Sequence, residues 1–557
     1  MHRSIHLARV AFLAAVLPIL CAAQQSLPNG VAAGDVTSTS AVLWARLEAP
    51  ETVQFDVFLA GTSTPVATAT YDVVDPTLPA TVQITGLQAD TRYDYTVSTA
   101  SLAATRGVFR TPAVGVQRGL TFGVSGDARG DLRPYPAIGN VANRDLDFFV
   151  MLGDTTYADI PSPAFPGLQA QTLADFRVKH DEVLGSELGV NSMADLRAST
   201  AYYAMIDDHE VTNDFSGAEH PSNDPRFAFT TEQFISETQL YRDGVQAFEE
   251  YAGRIPQVWS STEARFNGKP KLYLSRRYGT DAQFFLLDAR TFRDPPIAPV
   301  ADPRDPTQVA AFQAASFTPG RTMLGMTQLR ELGQDLLQAQ NAGVTWKFIM
   351  LPEPIMNLGV IAAPDRYDGY AWERSLVLSY IRERGIKNVV FVSADLHGML
   401  VNNLTYQTTA GGPQIPVDAF EVVTGAVAFY PPYGPLTVAT HLFLGLVTPG
   451  EYQNYLQRPA SFQDVFLTSV LNRHVMGLGQ DPLGLQGSGL NSTLLQGRYV
   501  AAHGFCWTEF AIDATTQDLT VTTFDVQAYD ANEIANDPAG ILARQSAVRS
   551  RFVVRPK

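Results

Sequence analysis

At 557 residues the chain is too long for one ordinary core, and at roughly 100–200 residues per domain it predicts two or more. Its composition, 45% hydrophobic, 10% aromatic and 17% charged, excludes extended disorder and fibrous repeats. The formal net charge of −16 excludes a general binder of nucleic acid or anionic membranes, which presents a basic face, so no stable partner of either kind is expected.

Residues 1–23 have the pattern of a secretory signal peptide: Arg3 and Arg9, an apolar run over 10–20, and Ala22 and Ala23 as small residues for cleavage. The run is shorter than the ~20 apolar residues of a membrane span, so the expected destination is the periplasm or the medium. Cleavage after Ala23 leaves Cys506 alone, which predicts no intrachain disulfide and no cysteine-based zinc site. Residues 24–113 read as an all-β sandwich domain, because Val53, Phe55 and Val57 alternate with Gln54 and Asp56, and Tyr93, Tyr95 and Val97 repeat the pattern. Over 114–557 short apolar runs alternate with helical stretches, which predicts an α/β domain whose β-sheets are flanked by helices. The runs are 120–124, 148–152, 202–206, 284–287, 348–351 and 389–392; the helices are expected over 134–144, 230–252, 324–340 and 371–384. Residues 505–512 and 518–526 predict a closing hairpin, and 440–500 reads as an inserted lid or loop region.

In an open α/β sheet functional groups gather at the carboxyl ends of strands. Four of the apolar runs end in polar clusters: Ser125-Gly126-Asp127-Ala128-Arg129, Gly153-Asp154-Thr155-Thr156-Tyr157-Ala158-Asp159, Asp207-Asp208-His209-Glu210 and Ser393-Ala394-Asp395-Leu396-His397. A single Asp after a strand is ordinarily a turn former or helix cap. Four such clusters on parallel strands would converge, and converging carboxylates repel unless cations offset them. Oxygen ligands with an imidazole and a phenol suit a ferric ion beside Ca²⁺, Mn²⁺, Zn²⁺ or Mg²⁺. The residues leave two classes open at this point: a metal-dependent enzyme, and an extracellular Ca²⁺-binding adhesion protein without catalysis. A nucleotide-binding α/β protein ranks below both, because no glycine-rich phosphate loop follows a strand.

The order of these motifs resembles the alkaline phosphatase D (PhoD-like) family of the metallophosphoesterase superfamily. Leu27-Pro28-Asn29-Gly30-Val31-Ala32-Ala33-Gly34-Asp35 with Val42-Leu43-Trp44-Ala45-Arg46 looks like its N-terminal β-domain, Gly153-Asp154-Thr155-Thr156-Tyr157 like its Gly-Asp-x-x-Tyr block, and Asp395-Leu396-His397 like its last metal block. Departures are Arg129, where the wider superfamily has His, and Asp395, where many relatives have His. The resemblance implies a secreted phosphoesterase that hydrolyses small phosphate mono- or diesters with a metal-activated hydroxide. It implies a cluster of two or more metals, Fe³⁺ with Ca²⁺ foremost. Asp127, Asp154, Tyr157 and His397 would serve the first metal, with Asp154 bridging; Asp208 and Asp395 would complete the second. It further implies His209 as the proton donor to the leaving group and Arg129 and Arg290 as phosphate contacts. A structural ion pair with Asp288 or another acid is an equal reading of Arg290, and Asn213 reads as a turn residue.

Overall fold

The computed structural model describes residues 27–557, so the expected signal peptide lies outside the described residues. Two large mixed sheets stack face to face. The eleven-stranded sheet runs Ser492–Gln496, Ala547–Val554, Leu519–Gln527, Gly504–Ile512, Leu120–Ala128, Phe148–Leu152, Ala201–Met205, Val31–Gly34, Ser40–Ala45, Ala80–Thr85, with Ala426–Ala428 beside the end of Leu120–Ala128. The seven-stranded sheet runs Leu274–Tyr278, Ala282–Leu286, Trp346–Met350, Val389–Ser393, Ile415–Val423, Met399–Tyr406, Val500–Ala501. Period-two patterning sends alternate side chains of both into one shared core. Phe122 meets Phe348 edge-on at 4.9 Å between centroids, and Phe148 lies 4.8 Å from Phe284.

Helices cover the outer faces. Leu329, Leu332 and Leu336 of helix Met326–Asn341, with Val377, Leu378 and Ile381 of helix Ala371–Glu383, bury against the outer face of the seven-stranded sheet. Val183 and Leu184 of helix Leu173–Leu184, with Val245 and Phe248 of helix Gln239–Tyr251, cover the other sheet. The result is the expected core of β-sheets flanked by helices. No described helix is long and apolar enough to cross a membrane.

The N-terminal β-region is less separate than its composition suggests. Its four-stranded sheet, Pro65–Val73, Glu51–Leu59, Arg92–Ser98 and Thr105–Arg110, faces the strands Val31–Gly34, Ser40–Ala45 and Ala80–Thr85. Those three strands extend the core sheet itself, because Val31–Gly34 pairs in parallel with Ala201–Met205 through Ala33↔Ala201 and Gly34↔Tyr202.

Three stretches differ from the sequence reading. Over 134–144 the structure has two short 3₁₀ turns, Pro136–Ile138 and Val141–Asn143, because Pro134, Pro136 and Gly139 interrupt a helix. The helix expected from 230 begins at Gln239, where the Thr238 side chain accepts from Tyr241 N. The 440–500 region is largely helical: Tyr433–Phe443, Pro449–Leu456 and Ala460–Gly477 bury Val438, Tyr455, Leu467 and Leu471 against the same core as the seven-stranded sheet. Its loop character is confined to the glycine-rich stretch after Gly477.

Candidate metal centre

Both sheets deliver side chains to one edge. Asp127 ends the strand Leu120–Ala128, Asp154 and Tyr157 follow Phe148–Leu152, and Asp208 and His209 follow Ala201–Met205. Asp395 and His397 follow Val389–Ser393 on the facing sheet. Parallel pairing sets the depth of the first three, through Ser125↔Met151 and Met205↔Leu152.

Close approach of the strand ends depends on two glycines. A Cβ on Gly126 would sit 2.7 Å from the Ala394 Cβ, so only glycine lets the two sheets meet here. Gly153 has φ +98°, and its Cβ would sit 2.7 Å from the Asp207 Cβ. The residues that follow are strained as well. Asp127, Asp154, Asp395 and His397 hold φ of 58°, 50°, 59° and 57°, a left-handed backbone that costs of order 1–3 kcal/mol at a non-glycine residue. Backbone bonds Asp127 N→Gly153 O at 3.2 Å and Ala128 N→Asp154 O at 3.0 Å hold two of these turns.

The donor atoms gather in two triads. Single ligand atoms of Asp127, Asp154 and His397 lie within 4.8 Å of one another, and so do those of Asp154, Asp208 and His209. Asp154 belongs to both. The Tyr157 hydroxyl lies 3.4 Å from His397 Nε2, which is itself 3.4 Å from Asp127 Oδ1. Phe429 stacks on the His397 ring at 3.6 Å and fixes its plane. Asp395 falls in neither triad and instead lines the cleft beside His397.

The residues fit a cation. Asp127 Oδ2 is buried and has no hydrogen-bond partner, a costly state for a carboxylate unless an ion supplies the missing interaction. Burial, then Asp208, Asp207 and Asp127, push the Asp154 carboxyl well above the usual carboxylate range. Burial, then Asp207, Asp365 and Asp208, do the same to Asp395, and burial with Asp154 and Asp127 raises the Tyr157 phenol. A cation at this place reverses those shifts.

His209 is differently held. Its Nδ1 lies 2.6 Å from Asp159 Oδ1, its ring lies 4.3 Å from that of Tyr157, and its backbone N–H donates to Asp154 Oδ1 at 3.3 Å. Burial disfavours the imidazolium, but Asp208 and Asp159 outweigh it and raise the His209 pKa to about 9. Asp159 received no role from the sequence; its only signal was a place in the same cluster as Asp154. Asn213 is a turn residue whose backbone N–H donates to Asp159 Oδ2 at 2.7 Å.

The two arginines part company. Arg290 is fully buried and donates to Asp207 at 2.6 and 3.2 Å, to both Asp365 oxygens at 2.9 Å, and to Glu353. All three guanidinium nitrogens are bonded to carboxylates, which supports the structural ion-pair reading of Arg290 over the phosphate contact. Its side chain is not paired with Asp288, which accepts the backbone N–H groups of Arg290 at 3.0 Å and Thr291 at 2.9 Å. Arg293 shares Glu353 and Asp365 with it at 2.6 and 2.5 Å. Arg129 sits at the rim, paired with Asp131 at 3.0 and 2.7 Å, with its guanidinium 5.4 Å from the Phe429 ring centroid.

Comparison with known proteins gives the same picture. Residues 124–440 match the family model described as PhoD-like phosphatase, and residues 18–113 that described as PhoD-like phosphatase, N-terminal domain. Alkaline phosphatase D of Bacillus subtilis (strain 168) is 27% identical over 413 residues, covering 67% of this chain and 65% of its own length. The chain thus spans slightly under two thirds of that relative. A solved structure of PhoD superposes with a TM-score of 0.66 at 18% identity, covering 95% of this chain and 92% of its own. A purple acid phosphatase from yellow lupin (Lupinus luteus) gives a TM-score of 0.44 at 11% identity, with 91% and 73% covered.

Proposed function

The chain belongs to the PhoD-like phosphatase family, and from that premise we propose that it is a metal-dependent phosphoric ester hydrolase acting outside the cytoplasm on small phosphate mono- or diesters. The observation that carries this reading is Asp154, whose carboxylate is common to two donor triads while Asp127 Oδ2 beside it lacks any partner.

Asp127, Asp154, Tyr157 and His397 would hold the first metal, Fe³⁺ in this reading. Asp154, Asp208 and Asp395 would hold the second, Ca²⁺ or another divalent ion. Ions bound there supply Lewis acidity and lower the pKa of water from about 15.7 to ~7. Asp154, common to both donor triads, would link the two positions. His209 would present a proton at Nε2, with Asp159 accepting from Nδ1 and orienting the ring. That proton suits the oxygen of a departing alcohol. Arg129 grips phosphate by exchanging Asp131 for two phosphate oxygens, an arrangement that the planar guanidinium matches.

The test is hydrolysis of p-nitrophenyl phosphate and bis-p-nitrophenyl phosphate by purified protein of measured metal content, with and without chelator. The expected result is turnover of at least one ester, lost with the metal and restored on its return. Undiminished turnover by verified metal-free protein, or none by metal-replete protein, refutes the proposal.

A further inference from the structure

A cleft of about 590 Å³ opens beside Asp395 and His397, and the hydrolase reading leaves it without a role. Its two ends differ in chemistry. At the metal end it is lined by Asp214, Asp365, Asp395 and His397. Away from that end its wall is built from Ile297, Leu358, Leu436 and Leu471, with prolines between them. Leu436 belongs to helix Tyr433–Phe443 and Leu471 to helix Ala460–Gly477, so the helical 433–477 segment supplies one side of the wall.

The charge distribution narrows what the cleft can take. Arg366 is the lone arginine or lysine of the lining, and it is committed to Asp368 at 3.4 Å and to the Ile361 carbonyl at 2.9 Å. Asp214 also lines the cleft and carries no arginine or lysine partner among the described residues, while Asp365 is taken up by Arg290 and Arg293. A polyphosphate or a nucleic-acid backbone therefore finds no cation here, whereas an uncharged apolar group finds a surface to bury. The volume lies within the 300–1,000 Å³ range of small-molecule pockets.

We propose that this cleft is the ester-alcohol subsite, and that it selects phosphate esters carrying one bulky apolar alcohol, alicyclic, aromatic or branched alkyl. The proposal rests on the hydrolase reading, since the phosphoryl group must sit at the donor triads for its alcohol to reach the cleft. A single ester oxygen spans the two, since His397 belongs both to a donor triad and to the cleft lining, with Asp395 beside it. Leu436 is half exposed, which places it at the mouth rather than in the support of the fold.

The test uses non-hydrolysable phosphonates, so that it does not depend on monoester or diester preference. Binding of methylphosphonate and cyclohexylmethylphosphonate to the metal-replete protein is measured by calorimetry, and inhibition of p-nitrophenyl ester hydrolysis by both is measured alongside. Burying the added ring should tighten binding at least about tenfold. Leu436→Asp and, separately, Ile297→Asp should abolish that gain while methylphosphonate affinity and hydrolysis of a small ester stay within about twofold. Equal affinity for the two phosphonates in the unmodified protein overturns the subsite and leaves the hydrolase reading standing. A gain that survives both substitutions also overturns it. Failure to bind either phosphonate, with no ester hydrolysed, overturns the two readings together.

Discussion

Two groups of acids meet at the carboxyl edge of the sheets, and they solve the problem of buried charge in opposite ways. In the inner group Asp207, Glu353 and Asp365 surround Arg290 and Arg293, with both guanidinium groups fully buried and bonded. In the outer group Asp127, Asp154 and Asp395 have no arginine or lysine partner among the described residues, Asp208 accepts from Asp214 N and, against burial, is held low by the nearby Arg290, and one Asp127 oxygen has no hydrogen-bond partner. The boundary falls between neighbours in sequence: Asp207 turns to Arg290 at 2.6 Å, while the nearest Arg290 nitrogen is 3.7 Å from Asp208. A buried acid closed by an internal cation is architecture; one left open is waiting for a cation from outside.

The largest expected effect falls on the open group alone. Chelation should abolish phosphoester hydrolysis and lower the Tm, because ions that bind only the folded chain stabilise it by about 2.7 kcal/mol at a hundredfold excess over Kd. Activity and melting measured on the same metal-stripped sample check this. Next, His209→Ala should lower kcat by roughly 10²–10⁴-fold with metal content intact, and less for p-nitrophenol than for an alkyl leaving group. Loss of metal in that variant would move His209 from proton donor to ligand, a role its place in the second triad also permits.

The closed group is tested by Arg290→Ala, which leaves buried Asp207 without a cation while Arg293 still holds Glu353 and Asp365, and should cost about 3–5 kcal/mol in urea unfolding. Arg290→Lys should recover only part, since an ammonium cannot make the forked contacts to Asp207 and Asp365. A stable but inactive Arg290→Ala protein would erase the distinction between the groups. The smallest effect is the most diagnostic. The Asp154 carboxyl is raised by burial and by its acidic neighbours, so the metal-free fold binds more protons there than the unfolded chain does. Stability of the metal-free protein should therefore fall as pH rises from about 4, the unfolded value. Asp154→Asn should flatten that dependence and stabilise the metal-free protein at neutral pH by about 0.5–2 kcal/mol, while abolishing activity. Unchanged urea midpoints between pH 4 and 7 in both proteins would count against an open acidic site.

The strands and the open group were legible in sequence because both are local. Each apolar run such as 148–152 carries its polar cluster directly behind it, and the strands form within a few residues of their expected positions. The closed group was not legible, because Asp207, Arg290, Glu353 and Asp365 come from four distant segments and no spacing rule relates them. The same reason hid the pairing of Val31–Gly34 with Ala201–Met205, a contact between residues about 170 positions apart. The helices of the 440–500 region were illegible for a different reason. Its Pro449-Gly450 and its later glycines suggest a loop, yet Pro449 is a good first helical residue after the capping Thr448, whose side chain accepts from Glu451 N.

Strand order in the eleven-stranded sheet also bears on when the protein can acquire its activity. Leu120–Ala128, which carries Asp127, lies between Phe148–Leu152 and Gly504–Ile512. A nascent chain that has not yet released residue 512 therefore has an open edge on the strand that carries Asp127. It also lacks the neighbour that completes the sheet. Sequence-distant pairing of this kind closes slowly. The strand that carries Asp127 thus gains its second full-length neighbour only when nearly the whole polypeptide is present.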